Sequence, residues 1–214
     1  MSSNYKTDQE IFWAGEFGDG YSDRNVGINW LASNTAFFSK ILNSTHDIQS
    51  VIEFGSNIGL NLKALNSILP HAKLSAIEIN SKAVDYLKEL KLVEKVYHQS
   101  IFDFSPGKNK YDLVLIKGVL IHINPEELVH VYEKLYQSCG RYLLIAEYYN
   151  PVPVEVKYRG HEKKLFKRDF ASEFLEKYDD MKLVDYGFVW RKDPNFPQDD
   201  ITWFLLEKNC ILKK

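Results

Sequence analysis

The chain has 214 residues, enough for one domain with a sizeable core. Its 27 basic and 29 acidic residues leave a net charge of −2, so there is no electrostatic case for nucleic-acid or membrane-surface binding. Apolar residues make up 45 %, yet no apolar run approaches the roughly 18 residues of a membrane-spanning helix. Cys139 and Cys210 form neither a metal motif nor a disulfide framework. The opening residues lack the apolar segment of a signal peptide. The expectation is a cytoplasmic protein with reduced thiols.

The elements follow in chain order. Thr7 and Glu10 form a capping box for a short helix over Asp8 to Ala14. Gly15, Gly18 and Gly20 are expected to break any regular element after it. The stretch from Gly18 to Asn25 is dense in hydrogen-bonding side chains. Tyr21, Arg24 and Asn25 are candidates to close over a substrate. A helix is expected from Ile28 to Leu42, with Trp30, Leu31, Phe37, Phe38, Ile41 and Leu42 as its apolar side. Residues 1–47 thus read as a helical cap; the plainer reading is a packing segment with a polar loop.

Val51-Ile-Glu-Phe-Gly-Ser-Asn-Ile-Gly-Leu-Asn-Leu62 reads as strand, tight turn and helix start. Glycines in such a turn let backbone N–H groups and a helix N-terminus approach a ligand. Glu53 stands two residues before the first glycine, where a carboxylate suits a cationic group. A second strand, from Lys73, ends in Glu78, placed to accept hydrogen bonds from ribose hydroxyls. The dinucleotide fingerprint wants G-x-G-x-x-G, whereas this chain has G-x-x-x-G with Asn57 between. Asn tolerates left-handed geometry, so the turn survives. At Glu53, Gly55, Gly59 and Glu78 the chain resembles class I S-adenosylmethionine-dependent methyltransferases, with their E/D-x-G-x-x-x-G pattern. The resemblance implies that the loop with Gly55, Ser56, Asn57 and Gly59 wraps the methionine moiety. It places Glu53 near the amino end and Glu78, followed by Ile79, at the ribose. Ser100 and Ile101 would face the adenine amine and ring.

Leu60 to Leu69 is a crossover helix stopped by Pro70. Asn80-Ser81 caps a helix to about Leu90. Val93 to His98 is a third strand, and Pro106 to Lys110 a polar loop. Leu113 to Ile116 is the apolar run of a central parallel strand. Ligands sit off the carboxyl ends of such strands, which puts Lys117, Gly118 and His122 near the reacting centre, with Lys117 expected on the cofactor. His122 is a candidate general base or, equally, a structural histidine. Pro125 opens a helix to about Ser138, ended by Gly140. Arg141 to Glu147 is a fifth strand that delivers Glu147, Tyr148 and Tyr149 to the same rim. Pro151 and Pro153 impose an extended path. The cationic stretch from Val154 to Arg168 is a solvated face or an anion-binding flap. A helix over Asp169 to Tyr178 precedes strands over Lys182 to Trp190 and Ile201 to Glu207. Two closing strands without a crossover helix mean an antiparallel hairpin. The expected fold is α/β, doubly wound, with a mostly parallel seven-stranded sheet and an antiparallel last strand. It divides into cap (1–47), cofactor-binding core (48–150), and substrate flap with closing hairpin (151–214).

Outside the glycine loop, several stretches resemble a narrower family. They are Phe12 to Asn25, Glu53 to Asn61, Gly118 to Ile123, Glu147 to Pro151, Tyr158-Arg-Gly-His161 and Leu165 to Phe170. Together they are similar to the methylases associated with pseudaminic acid biosynthesis. That resemblance implies S-adenosylmethionine as cofactor and a nonulosonic acidic sugar, its nucleotide-activated form or a precursor as acceptor. In the methylation it implies, His122, His161 and Glu147 are candidate bases. Tyr21, Arg24, Asn25, Tyr148, Tyr149, Tyr158 and Arg159 are expected to hold the acceptor. A sulfonium methyl is already activated, so no metal is expected. Methylation of another small metabolite, a binding protein that lost its chemistry, and a nicotinamide oxidoreductase remain alternatives.

Overall fold

The structure is a computed structural model that describes residues 5–26, 30–108 and 110–209. Cys210 and the expected helix start at Ile28 lie outside these residues. The helices are α1 (Asp8–Ala14), α2 (Glu16–Asn25), α3 (Leu31–Leu42), α4 (Leu60–Ile68), α5 (Ser81–Glu89), α6 (Leu128–Ser138) and α7 (Phe170–Lys177). The strands are β1 (Ser50–Phe54), β2 (Lys73–Glu78), β3 (Val93–His98), β4 (Tyr111–Lys117), β5 (Cys139–Glu147), β6 (Val154–Glu155), β7 (Phe166–Lys167), β8 (Met181–Val189) and β9 (Ile201–Lys208).

Seven strands form one sheet in the order β3-β2-β1-β4-β5-β9-β8. The ladders among β1 to β5 are parallel, and β9 runs antiparallel to both neighbours. The central strands carry no alternation. Val51, Ile52 and Phe54 in β1 and Leu113 to Ile116 in β4 are fully buried, as strands covered on both faces require. One core layer joins Phe37, Phe38 and Ile41 of α3, Leu62 and Leu65 of α4 and Leu87 of α5 to the sheet. The other joins Val131 and Leu135 of α6 and Phe170 and Phe174 of α7. The chain order reverses between β1 and β4. Their carboxyl ends therefore open the crevice where this architecture places ligands. Among the described residues no helix is long and apolar enough to cross a membrane.

The capping box of α1 forms as expected, with Thr7 and Glu10 each bonding the other's backbone. The glycine-rich stretch after it is a correction. Residues 16–25 form α2 despite Gly18 and Gly20. A Cβ at Gly18 would lie 1.8 Å from the Trp13 carbonyl oxygen and 2.8 Å from the Asn80 side chain. Gly18 permits close packing of α2 there, and this outweighs its poor helix propensity. Phe37, Phe38, Ile41 and Leu42 of α3 are buried as expected, but in its first turn Leu31 is 44 % exposed and Ser33 and Asn34 turn inward instead. Gly140 lies within β5, and α6 ends at Ser138. The cationic stretch folds as a ribbon: β6 pairs with β7, and Tyr158 bridges to His161 across a turn.

Candidate active site

A cavity of about 250 Å³ lies off the carboxyl ends of β1, β2 and β4. Its floor is the turn after β1. Gly55 (φ 76°), Asn57 (φ 45°) and Gly59 (φ 78°) all adopt left-handed geometry, which glycine and asparagine accept at least cost. A Cβ at Gly55 would press to 2.6 Å from a Val119 methyl carbon, so the exit of β4 packs on this turn. The turn is pinned to the end of β2. Glu78 accepts the Asn57 N–H at 2.7 Å and the Asn80 N–H at 2.8 Å. Burial pushes its carboxyl up, and the backbone N–H donors oppose the shift.

Three carboxylates surround Lys117 at the end of β4. Burial pushes its ammonium down, while Asp199, Glu53 and Glu147 pull it back up. Glu53 is fully buried and accepts the Asn61 side-chain N–H at 2.7 Å. Burial raises it to about 8, against the Asn61 hydrogen bond and the Lys117 charge. One oxygen of Glu147 accepts the N–H groups of Val119 and Leu120 at 2.9 and 2.8 Å. Burial raises Glu147 to about 7. The second oxygens of Glu53 and Glu147 are buried without a partner among the described residues.

His122 forms one wall. Its Nδ1 lies 2.6 Å from the Lys164 carbonyl oxygen. A carbonyl only accepts, so Nδ1 carries the proton and Nε2 keeps a lone pair. Burial pushes the imidazole down to about 4. The rings of Trp13 and Tyr158 flank it at 4.7 and 4.8 Å.

Two distant segments roof the cavity. Asn80 donates from its side chain to the Asp19 carboxylate at 2.8 Å and the Trp13 carbonyl at 3.3 Å. The Ser22 hydroxyl donates to Asn57 Oδ1 at 2.9 Å. These bonds seat α1 and α2 on the core. The ribbon then joins the roof: Gln9 donates to the Lys163 carbonyl and Lys164 to the Asp8 carbonyl, both at 3.0 Å. At the far side Gln198 donates to Asn34 Oδ1 at 2.8 Å, closing the loop between β8 and β9 onto α3.

The cavity brings together Gly55, Ser56, Asn57, Glu78, Ile79, Ser100, Ile101 and Lys117 with Tyr21, Asn25, His122, Tyr148 and Tyr158. Ser100 also caps the short turn over Ile101–Asp103. Seven expected residues do not line it. Glu53 lies beneath the turn and touches Asn61, which does line it. Gly59 starts α4, packed under Leu87 and Leu90. Glu147 holds the backbone after β4 from below. His161 sits against Phe12 and Phe17. Arg24 lies over the rings of Phe17 and Tyr21, and Arg159 over Tyr158. Tyr149 is 40 % exposed beside Phe204. Conversely, Trp13, Asn34, Asn61, Gln198 and Asp199 line the cavity without having been singled out for it.

No family model and no curated protein sequence matches the chain. Solved structures do match it in fold. The plantazolicin methyltransferase BpumL in complex with SAH is 16 % identical, with a TM-score of 0.65 and 94 % of each chain covered. The magnesium protoporphyrin IX methyltransferase from Synechocystis PCC 6803 with bound SAM is 14 % identical, with a TM-score of 0.64, covering 97 % of this chain and 100 % of that one. The 1,6-didemethyltoxoflavin-N1-methyltransferase of Burkholderia thailandensis, solved with bound 1,6-didemethyltoxoflavin and S-adenosylhomocysteine, is 12 % identical. Its TM-score is 0.69, covering 98 % of this chain and 93 % of that one. With its antiparallel β9 inserted between β5 and β8, the chain has the Rossmann-like fold of these methyltransferases.

Proposed function

We propose that the chain is an S-adenosylmethionine-dependent methyltransferase acting on an oxygen or nitrogen of a small polar acceptor. The observation that carries this reading is Glu78. It lines the cavity between the left-handed turn and Ser100–Ile101, and each of its oxygens already accepts a backbone N–H yet keeps acceptor capacity. That fits a ribose diol. Asn61, held by the buried Glu53, offers a polar group for the amino-acid end. When bound, the cofactor supplies an activated sulfonium methyl.

The chain's own residues then have separable tasks. Glu78, Ser100 and Ile101 hold the nucleoside side, and Gly55 to Asn57 the methionine side. Trp13, Tyr21 and Tyr158 exclude water from the roof. His122, neutral through burial, accepts the proton of an acceptor hydroxyl at Nε2. Lys117 is the cation facing the cavity among its described lining residues, and it orients an acidic group on the acceptor.

The acceptor we propose is a nonulosonic acidic sugar, its nucleotide-activated form or a precursor, handled in the cytoplasm. Support comes from the resemblance over Phe12 to Asn25 and Tyr158 to His161, and from Lys117, which faces the cavity beside Asp199 and the amides of Asn25, Asn34 and Gln198. A titration calorimetry series with S-adenosylhomocysteine, with NAD for comparison, tests the cofactor. Micromolar binding that Glu78→Ala abolishes is expected. Binding of NAD alone would overturn the reading in favour of a dinucleotide site. Transfer of labelled methyl to acidic nine-carbon sugars then tests the acceptor, and transfer only to other metabolites would refute it.

A further inference from the structure

The outer end of the sheet carries a feature the cavity does not use. Every aromatic side chain that is strongly exposed among the described residues belongs to this end: Tyr149, Tyr186, Phe188, Trp190 and Phe196, at 40, 65, 54, 51 and 48 %. Tyr186 pairs across the ladder with Phe204 and stacks on it at 6.3 Å, and Tyr149 meets the same ring at 6.2 Å. Leu183, opposite the buried Leu206, extends the strip on that face, with a bulge beside it.

The cause is topological. The chain between β5 and β8 supplies one helix, α7, and this packs on β5. The hairpin of β8 and β9 adds no helix of its own. On that face Met181 and Leu206 are covered by the core, while Tyr186 and Phe188 farther along β8 stay uncovered among the described residues. The opposite face is occupied: Ser44 donates to Asp185, and Gly187 sits against the Trp203 ring. A monomer protects an edge strand with charges or prolines. Residues 186–189, Tyr-Gly-Phe-Val, contain neither.

We propose that this strip is a self-association face, packed on the same strip of a second copy about a two-fold axis. At roughly 200 Å² per aromatic side chain, the exposed parts of these rings with Leu183 and Val184 come to about 600 Å². That is most of the ~800 Å² per partner that a stable interface buries. A two-fold contact needs a surface complementary to itself, and exposed rings such as Tyr186 and Phe188 meet that need by packing on their own copies. The loop after β8 also reaches the cavity wall, since the Trp190 carbonyl accepts the N–H of Gln198, which lines it, at 3.2 Å. The proposal stands apart from the methyl-transfer reading and survives its failure.

Sedimentation equilibrium of the full chain tests it. The expected mass is twice the chain's 24.9 kDa. The Tyr186→Lys, Phe188→Lys double variant is expected to weaken the dimer about tenfold or more while keeping the wild-type circular dichroism spectrum. Val129→Lys, at an exposed position on α6, serves as the control and leaves the dimer intact. A wild-type monomer at about 100 µM would overturn the proposal. So would a dimer that the double variant does not weaken. A monomer that floats with lipid vesicles would assign the strip to a bilayer instead, and the proposal would fall.

Discussion

The side-chain nitrogen of Asn80 donates to the backbone carbonyl of Trp13 across 67 residues of sequence. The backbone N–H of Asn80 meanwhile donates to Glu78, and its side-chain oxygen caps α5 at Ala83. One residue thus links the proposed ribose carboxylate to the roof. Asp19→Ala removes a roof bond without touching the cap of α5. We expect it to weaken S-adenosylhomocysteine binding about tenfold, with a stability loss near 1 kcal/mol. Asn80→Ala should add the loss of the cap, about 1 kcal/mol more. Calorimetry and thermal melts on both variants measure this. Unchanged affinity in Asp19→Ala would uncouple roof and cofactor.

His122→Ala should lower kcat about 10²-fold while leaving the dissociation constant of S-adenosylhomocysteine within about twofold, because the imidazole faces the acceptor side. Since burial holds His122 near 4, the activity that depends on it should persist as pH falls to about 5. Full turnover by the variant would refute the proton-accepting role.

Lys117→Met should raise the acceptor's KM at least tenfold, the scale of a lost hydrogen bond to a charged group. Arg159→Glu should shift it less than about threefold, because Arg159 lies outside the cavity over Tyr158 and exposed charges contribute little. Steady-state kinetics with the true acceptor separates the two. A larger effect at Arg159 would mean that the ribbon folds further inward during turnover.

Stability should peak on the acidic side, near pH 5. His122 is depressed from 6.5 to about 4, so the unfolded chain binds its proton first. Its contribution, on the order of 3 kcal/mol, is complete above about pH 6.5 and is lost as pH falls to about 4. Glu53 and Glu147 are raised from 4.5 to about 8 and about 7, so the stability they lend by staying protonated is full below about pH 4.5 and is lost as pH rises to those values. These two groups outweigh His122, so melting temperatures should fall from about pH 5 to about pH 8 and level off above it. Replacement by His122→Gln should steepen the fall below about pH 6.5 and leave the higher range unchanged.

Gly18→Ala should destabilise by about 1–3 kcal/mol, since its Cβ would meet the Trp13 carbonyl at 1.8 Å. A melt measures the cost, and calorimetry should show weaker cofactor binding. The same substitution at Gly107, whose Cβ would meet nothing within 4 Å, strains only its positive φ and should leave binding unchanged.

What sequence could show here was local. The strand, left-handed turn and helix around Gly55, the acid closing β2 and the asparagine capping α5 are each written in adjacent residues. The antiparallel closing strands followed from the missing crossover helix. What it could not show was decided by distant contacts. Two glycines argued against α2, at about 1 kcal/mol each in propensity, but packing on Asn80 overrode them. Trp13 belongs to a capped helix whose sequence says nothing of His122, its neighbour in space. Gln198 and Asp199 sit in a proline-containing loop, and only the fold of that loop onto Asn34 carries them to the wall. The turn at Arg159 and Gly160, both with positive φ, folds the ribbon so that His161 rests on Phe12 instead of entering the cavity.

The bond from His122 Nδ1 to the Lys164 carbonyl has a practical consequence. It ties the tautomer of one imidazole to the position of a backbone segment 42 residues away. Any displacement of the ribbon would break that bond, and the ring would lose its preference for one protonated nitrogen. The ¹⁵N resonances of a single native side chain thus become a gauge of whether the active-site roof is shut. They can be read while ligands are titrated, without attaching a probe to the moving part.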